Sequence, residues 1–200
     1  MSDLKIETWF PTVIGVSDCP FIKDIQKTYS KILKEFEYNH RGFSYHQLHK
    51  DKRFKRITKW VTDRVNDYAK IHNYDDHFEI GESWINDYRT GQQQPYHAHN
   101  GWTISSNFIF KSNINDMPTI FKSPNFVDMK NPTKSGPNQV SKLSLNQYTF
   151  KTVEYPPVEG RLLIFRSYVE HSTGSRPLDI KSKRIIFAFN LDPKKKGDII

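Results

Sequence analysis

From about His77 onward the apolar residues of this chain change their period, and that switch restricts the fold more than any other feature of the sequence. Before it, Phe21, Ile22, Ile25, Tyr29, Ile32, Leu33 and Phe36 recur at three- and four-residue spacing. Phe54, Ile57, Trp60, Val61, Val65, Tyr68 and Ala69 repeat the pattern. Each set makes one apolar stripe along a helix. Asp18 is a candidate cap for the first of them, and Pro20 suits its first turn. After His77 the period is that of extended chain, with strands expected over 78–88, 102–110, 148–153, 161–165 and 183–191. Helices followed by strands, rather than alternating with them, predict an α+β chain whose mainly antiparallel sheet is braced on one face by the helices.

Two hundred residues make one domain of ordinary size, with 1–77 as a mainly helical buttress and 78–200 as the strand-built core. Apolar residues are a modest 36% of the chain, but aromatics reach 14% and bury large areas each. The longest apolar runs, Leu162–Phe165 and Ile185–Phe189, are far too short to span a bilayer. The chain is therefore expected to be soluble, with no membrane partner. Cys19 is the only cysteine, which excludes an internal disulfide and fits a reducing, cytoplasmic compartment. The N-terminus carries no signal-peptide pattern. Between Lys111 and Gln147 lies a polar stretch with Pro118, Pro124, Pro132 and Pro137, expected to be a lid or a disordered excursion.

Thirty Lys and Arg against 22 Asp and Glu leave a formal charge of +8. Much of the excess sits in the run Lys50–Arg56 and in Lys194-Lys195-Lys196. Such runs attract nucleic acid or acidic substrates. No nucleic-acid motif accompanies them, so a solvated basic surface is preferred and nucleic acid is not the favoured partner.

The chemistry lies in His97-Ala98-His99, answered far downstream by His171 and Arg184. Residues two apart on a strand point to one face, so His97 and His99 can offer two imidazoles to one metal ion, with His171 closing the set. His171 follows the buried strand 161–165, and Arg184 heads the apolar strand 183–191. A buried guanidinium is costly unless it meets an anion. With Arg184 facing inward, Ile186, Ala188 and Asn190 share its face, while Ile185, Phe187 and Phe189 pack toward the helices. Asn107 and Asn190 either hydrogen-bond a ligand or satisfy buried backbone groups. Trp84 and Trp102 fit aromatic core packing or the lining of a pocket. His40, His46, His49, His72 and His77 lack ligand spacing.

The order Trp84-x-Asn86, Gly91, His97-x-His99, an aromatic strand, Pro157-x-x-Gly160, Phe165-x-Ser167, His171, Arg184 and Asn190 resembles the Fe(II)/2-oxoglutarate-dependent oxygenases. It is most similar to an often phage-encoded branch related to the prolyl 4-hydroxylases, and Trp9-Phe10-Pro11-Thr12 looks like that branch's N-terminus. The resemblance implies a double-stranded β-helix, a distorted jelly roll buttressed by helices. It also implies Fe(II), 2-oxoglutarate and O2 as cofactor and cosubstrates, and hydroxylation of a protein side chain or small molecule with release of succinate and CO2. Carried over, His97, His99 and His171 are the metal ligands, and Arg184, with Asn107 and Asn190, binds the cosubstrate. The compartment would be a host's cytoplasm for a phage-encoded chain. His99 stands where the superfamily usually has a carboxylate, which leaves the site one charge more positive and favours zinc or copper more than the usual set does. An alternative set leaves His99 beside the site, with Asn100 or water in the third position.

Two other readings stay open at this level. One is a three-histidine zinc or cupin-like metal protein, hydrolytic or non-catalytic. The other is a β-sandwich module whose histidines bind nothing, and whose Arg184 sits in an internal ion pair.

Overall fold

The computed structural model describes residues 11–44, 46–89, 91–124, 151–174, 176–177 and 179–194. Its strands are β1 (Ile14–Asp18), β2 (Phe43–Ser44), β3 (Phe78–Tyr88), β4 (Gln94–His97), β5 (Ile104–Lys111), β6 (Thr119–Lys122), β7 (Thr152–Tyr155), β8 (Arg161–Arg166), β9 (His171–Thr173) and β10 (Arg184–Pro193). Two helices, α1 (Ile22–Ile32) and α2 (Lys55–Ile71), precede most of them. The strands form a six-stranded sheet in the order β1-β8-β5-β10-β3-β2 and a four-stranded sheet in the order β4-β9-β6-β7. Every described pairing is antiparallel. Two facing antiparallel sheets with helices on the outer face of the larger one make the double-stranded β-helix that the sequence resemblance implies.

Side-chain alternation, reset in β3 by a bulge between Ile80 and Glu82, divides the larger sheet into a helix-facing surface and an inner one. Ile104, Phe108 and Phe110 of β5, Leu162 and Ile164 of β8, and Ile185, Phe187, Phe189 and Leu191 of β10 join Ile25, Tyr29, Phe54, Ile57, Val61 and Val65 in one core. Phe187 is fully buried at its centre, with its ring centroid 4.8 Å from Phe110, 6.0 Å from Phe54 and 6.4 Å from Tyr29. The opposite faces of the same strands look into the sandwich. There Leu163 and Phe165 meet Phe121 and Val169 across the gap between the sheets. Gly160 leads into β8 at φ 88°, a conformation that side chains strain to adopt, and Ile22 of α1 would lie only 3.1 Å from a Cβ placed there.

Several expected boundaries shift. Asp18 does not cap α1. It closes β1 and accepts a hydrogen bond from Arg161 Nε at 3.0 Å, while the cap position before α1 is Phe21, which makes no side-chain cap hydrogen bond. The N-terminal segment is not purely a helical buttress, because β1 and β2 extend the two edges of the larger sheet. Their short length and lack of strong alternation hid them. Within Lys111–Gln147, residues 119–122 are not loop but strand β6, hydrogen-bonded between β7 and β9. The expected lid falls largely on 125–147, outside the described residues. The basic run near residue 53 is partly spent on surface pairing. Arg53 bonds Asp51 and Glu35, and Arg56 covers the Phe21 ring at 4.1 Å. Among the described residues no helix is long and apolar enough to cross a membrane.

Truncating the residue at the joint between helices and sheet tests this core. Phe187→Ala is expected to destabilise the fold by about 3–5 kcal/mol, the usual range for a buried Phe. Val153→Ala, at a side chain 43% exposed, should stay within roughly 0.5 kcal/mol. Urea denaturation of the two variants checks the contrast, and comparable losses would contradict the packing described.

Candidate active site

A cavity of about 500 Å³ opens between the sheets, lined from the larger one by Tyr88, Asn107, Arg184, Ile186, Ala188 and Asn190 and from the smaller by His97, Thr119, His171 and Thr173. The face of β10 that looks into it carries Arg184, Ile186, Ala188 and Asn190, as the alternation predicts. Trp84 and Trp102 also line it, so their place is the pocket rather than the helix-facing core.

Three imidazoles converge at its centre. The ligand atoms of His97, His99 and His171 all lie within 4.8 Å of one another. His97 ends β4 and pairs directly across with His171 at the start of β9. His99 differs from expectation. It does not share a strand face with His97, because β4 stops at His97 and His99 stands on the loop beyond. That loop is fixed by a hydrogen bond from the His99 N–H to the Ser167 carbonyl at 2.9 Å. The Trp84 ring stacks on His99 with centroids 5.6 Å apart.

The hydrogen bonds around these rings also set their tautomers. His97 Nδ1 faces the Pro95 carbonyl at 2.9 Å, and His171 Nδ1 faces the Val169 carbonyl at 3.2 Å. A carbonyl only accepts, so each Nδ1 carries the proton and each Nε2 turns a lone pair inward. The Nε2 atoms of His99 and His171 are 3.4 Å apart. Two nitrogens bound at about 2.0–2.1 Å to one divalent ion sit roughly 3.0–3.4 Å from each other, so the spacing suits a shared cation. Burial and the neighbouring imidazoles lower the pKa of His99 to about 4 and that of His171 to about 3. Both are neutral, the form that binds metal, across the physiological range.

Arg184 is fully buried. Its Nη1 donates to the Met117 carbonyl and lies 3.7 Å from Asp116 Oδ1, and its guanidinium stands 5.6 Å from the Tyr88 ring centroid. Among the described residues, its Nε and Nη2 have no hydrogen-bond partner. Those two N–H groups form the side-on fork that grips a carboxylate with two parallel hydrogen bonds. An orphaned, buried, cationic fork on the wall of a cavity is a site for an anion. Burial pulls the guanidinium pKa downward, the penalty that a bound anion would relieve.

Asp116 and Arg176 complete this end of the cavity, and sequence reasoning missed both. Arg176 donates from Nε to Asp116 Oδ2 at 2.9 Å, from Nη1 to the Tyr88 carbonyl at 2.8 Å, and from Nη2 to the Ser182 carbonyl. One buried carboxylate thus lies between two buried guanidiniums, leaving one net positive charge. Nothing in the spacing of residues 116, 176 and 184 announces the trio. Asn190 has its Oδ1 taken by Ser105 Oγ at 2.8 Å, and its Nδ2 donates to Glu82 Oε2 at 2.9 Å. Asn107 lines the cavity half-buried.

Solved structures of other proteins share this fold. An oxidoreductase of the 2OG-Fe(II) oxygenase family from Burkholderia pseudomallei matches with a TM-score of 0.62 at 6% identity, over 90% of this chain and 84% of its own. HygX from Streptomyces hygroscopicus, with nickel, 2-oxoglutarate and hygromycin B bound, matches at 0.60 and 12% identity over 92% and 84%. A Pseudomonas putida prolyl-4-hydroxylase matches at 0.59 and 8% identity over 92% and 94%. No curated protein matches the chain. The family model described as "Putative 2OG-Fe(II) oxygenase" matches residues 82–190, more than half of the chain and all of the residues just described around the cavity. The chain belongs to the 2OG-Fe(II) oxygenase family, whose cofactor is Fe(II) and whose cosubstrates are 2-oxoglutarate and O2.

The charge trio yields a measurable coupling. Asp116→Asn leaves two buried guanidiniums facing each other and is expected to cost about 3–5 kcal/mol of stability. In an Arg176→Met background the same change should cost markedly less, because one of the two stranded charges is gone. A double-mutant cycle read by chemical denaturation measures that coupling. Additive losses would mean that the trio does not act as a unit.

Proposed function

We propose that the cavity is the active site of an Fe(II)- and 2-oxoglutarate-dependent hydroxylase in which His97, His99 and His171 hold the metal and Arg184 holds the cosubstrate. The observation that carries this reading is the buried, unpartnered Nε–Nη2 fork of Arg184, which shares one cavity with three converging imidazoles. When bound, the iron and 2-oxoglutarate supply O2 activation: one oxygen atom enters a substrate C–H bond, the other enters succinate, and CO2 leaves.

The residues of the chain divide the remaining work. Arg184 fixes the remote carboxylate with two charge-assisted hydrogen bonds, and Met117 and Asp116 hold its other edge so that the fork cannot turn away. Asn107 offers an amide on the same wall. Asn190 is engaged by Ser105 and Glu82, and its contribution is to position them. The Nδ1 hydrogen bonds of His97 and His171 aim their lone pairs at the metal. Three neutral imidazoles leave the full charge of a divalent ion to be balanced by the dianionic cosubstrate. A three-histidine zinc hydrolase would use the same ligands but leaves the Arg184 fork without a role. The substrate is a protein side chain or a small molecule, and the single buried Cys19 is in keeping with a cytoplasmic setting.

Anaerobic addition of Fe(II) and then 2-oxoglutarate should produce a visible metal-to-ligand charge-transfer band, and its absence with iron bound would overturn the reading. His171→Ala should abolish metal binding measured by calorimetry, since two ligands hold a divalent ion poorly against water. Retained affinity would remove His171 from the set. For Arg184, cosubstrate affinity should fall in the order wild type, Arg184→Lys, Arg184→Met. Each lost charge-assisted bond is worth about 1.5–3 kcal/mol, or roughly ten- to hundred-fold. A folded Arg184→Met protein with full 2-oxoglutarate affinity would refute the clamp.

A further inference from the structure

The pocket face of β3 reads Glu82, Trp84, Asn86, Tyr88, and its register with β10 sets these against Asn190, Ala188, Ile186 and Arg184 in turn. One end of the cavity is therefore Tyr88 with Arg184, and the other is Asn190 with Glu82. Six residues of strand separate them, roughly 20 Å at about 3.3 Å each. The imidazole cluster lies between, with His99 stacked on Trp84. The cavity is charged with opposite sign at its two ends, and the cosubstrate uses only the positive one.

Glu82 is the sole carboxylate among the described residues lining the cavity. No cation among the described residues pairs with it, and its one hydrogen-bond donor is the Asn190 amide. That amide does not swing freely, because its Oδ1 accepts from Ser105, whose hydroxyl is 2.7 Å from that of Ser167. The Ser167 backbone carbonyl in turn accepts the His99 N–H. A buried chain of neutral groups thus fixes Glu82, exposed at the mouth, without a cationic partner among the described residues. Aromatic rings stand around it. Trp102 rests on the backbone of Gly81, where any Cβ would come within 2.4 Å of the indole. Trp84 follows two residues along the strand, with Phe43 5.8 Å beyond it. A fixed, unpaired carboxylate among indole rings is a receptor for an organic cation.

We infer that the prime substrate presents an alkylammonium or guanidinium group, which docks against Glu82, Trp84 and Trp102 on the side of the histidines away from Arg184. The term prime substrate rests on the oxygenase reading, whereas the cation site rests on the geometry of this mouth. A peptide lysine or arginine side chain and a free polyamine share the recognised chemistry.

The test titrates the metal-free protein with N-acetyl-lysine methylamide, with its neutral counterpart N-acetyl-norleucine methylamide, and with 1,4-diaminobutane, following tryptophan fluorescence. The lysine probe should bind at least roughly tenfold more tightly than the norleucine probe. Tighter binding of diaminobutane than of the lysine probe points to a free amine as the source, and the reverse points to a peptide. Glu82→Gln keeps an acceptor for the Asn190 amide and is expected to erase the preference for charge. Equal affinity for charged and neutral probes, binding of neither, or an undiminished preference in Glu82→Gln overturns the inference. The charge-transfer band of the wild-type protein separates the two readings. A band without cation preference refutes the cation site alone. Cation preference without a band upholds the site and refutes the oxygenase.

Discussion

Strand β10 carries two opposed demands in one sequence, and the architecture follows from how it meets them. Its odd-numbered positions, Ile185, Phe187, Phe189 and Leu191, are buried against the helices. Its even-numbered positions, Arg184, Ile186, Ala188 and Asn190, face the cavity. Because the strand lies between β3 and β5, it is covered on both sides and cannot slip register. A one-residue shift would put Arg184 into the aromatic core and Phe187 into the site. The apolar half of the strand thus fixes where the guanidinium stands. Ala188 is the permissive member of the inner face: its small side chain lies opposite Trp84 and Asn107 in register and leaves room between the sheets for a ligand.

How much of this was legible in the sequence depended on period and on local signals. The helical stripes, β3 and β10 with its facing, and the convergence of His97, His99 and His171 could all be read from spacing. The scaffold of His99 could not. A His-x-His pair reads as one strand face, whereas a loop stitched to Ser167 brings His99 inward. That stitch depends on a backbone hydrogen bond between segments almost seventy residues apart in sequence, which leaves no residue signature. Strand β6 was hidden because Thr119–Lys122 is short and sits within a proline-spaced polar stretch. Asp116 and Arg176 were hidden for a different reason. Their significance is electrostatic and tertiary, and an aspartate in a polar loop looks like any solvated turn until a buried guanidinium is found beside it.

The two sheets supply different parts of the site. Arg184, Asn107 and Asn190 stand on the larger sheet, whereas His97 and His171 stand on the smaller one. The distance from anchor to imidazoles is therefore set by sheet-to-sheet packing rather than by any one strand. That packing is the small apolar cluster of Phe121, Leu163, Phe165 and Val169. His171 belongs to it physically, with its ring centroid 4.6 Å from Phe165 and 5.8 Å from Phe121. Close packing of rings holds the imidazole in one rotamer, and the Val169 carbonyl holds its tautomer.

The same arrangement bears on the proposed three-histidine metal set, which includes no carboxylate. In a cavity of low dielectric, a carboxylate ligand would need its own compensation whenever no metal was bound. The imidazoles of His99 and His171, their pKa values lowered by burial, bear little such penalty. The charges of this cavity are instead placed at its two ends, Arg184 with its Asp116–Arg176 brace and Glu82 with its Asn190–Ser105 brace. Each is held by protein on one side and left open on the other. Opposite, braced charges on either side of the imidazoles orient any ligand that carries an acid at one end, or a base at the other, before it reaches the histidines. The polarity of the cavity thus acts on direction of approach, while the spacing of the imidazoles suits a shared cation.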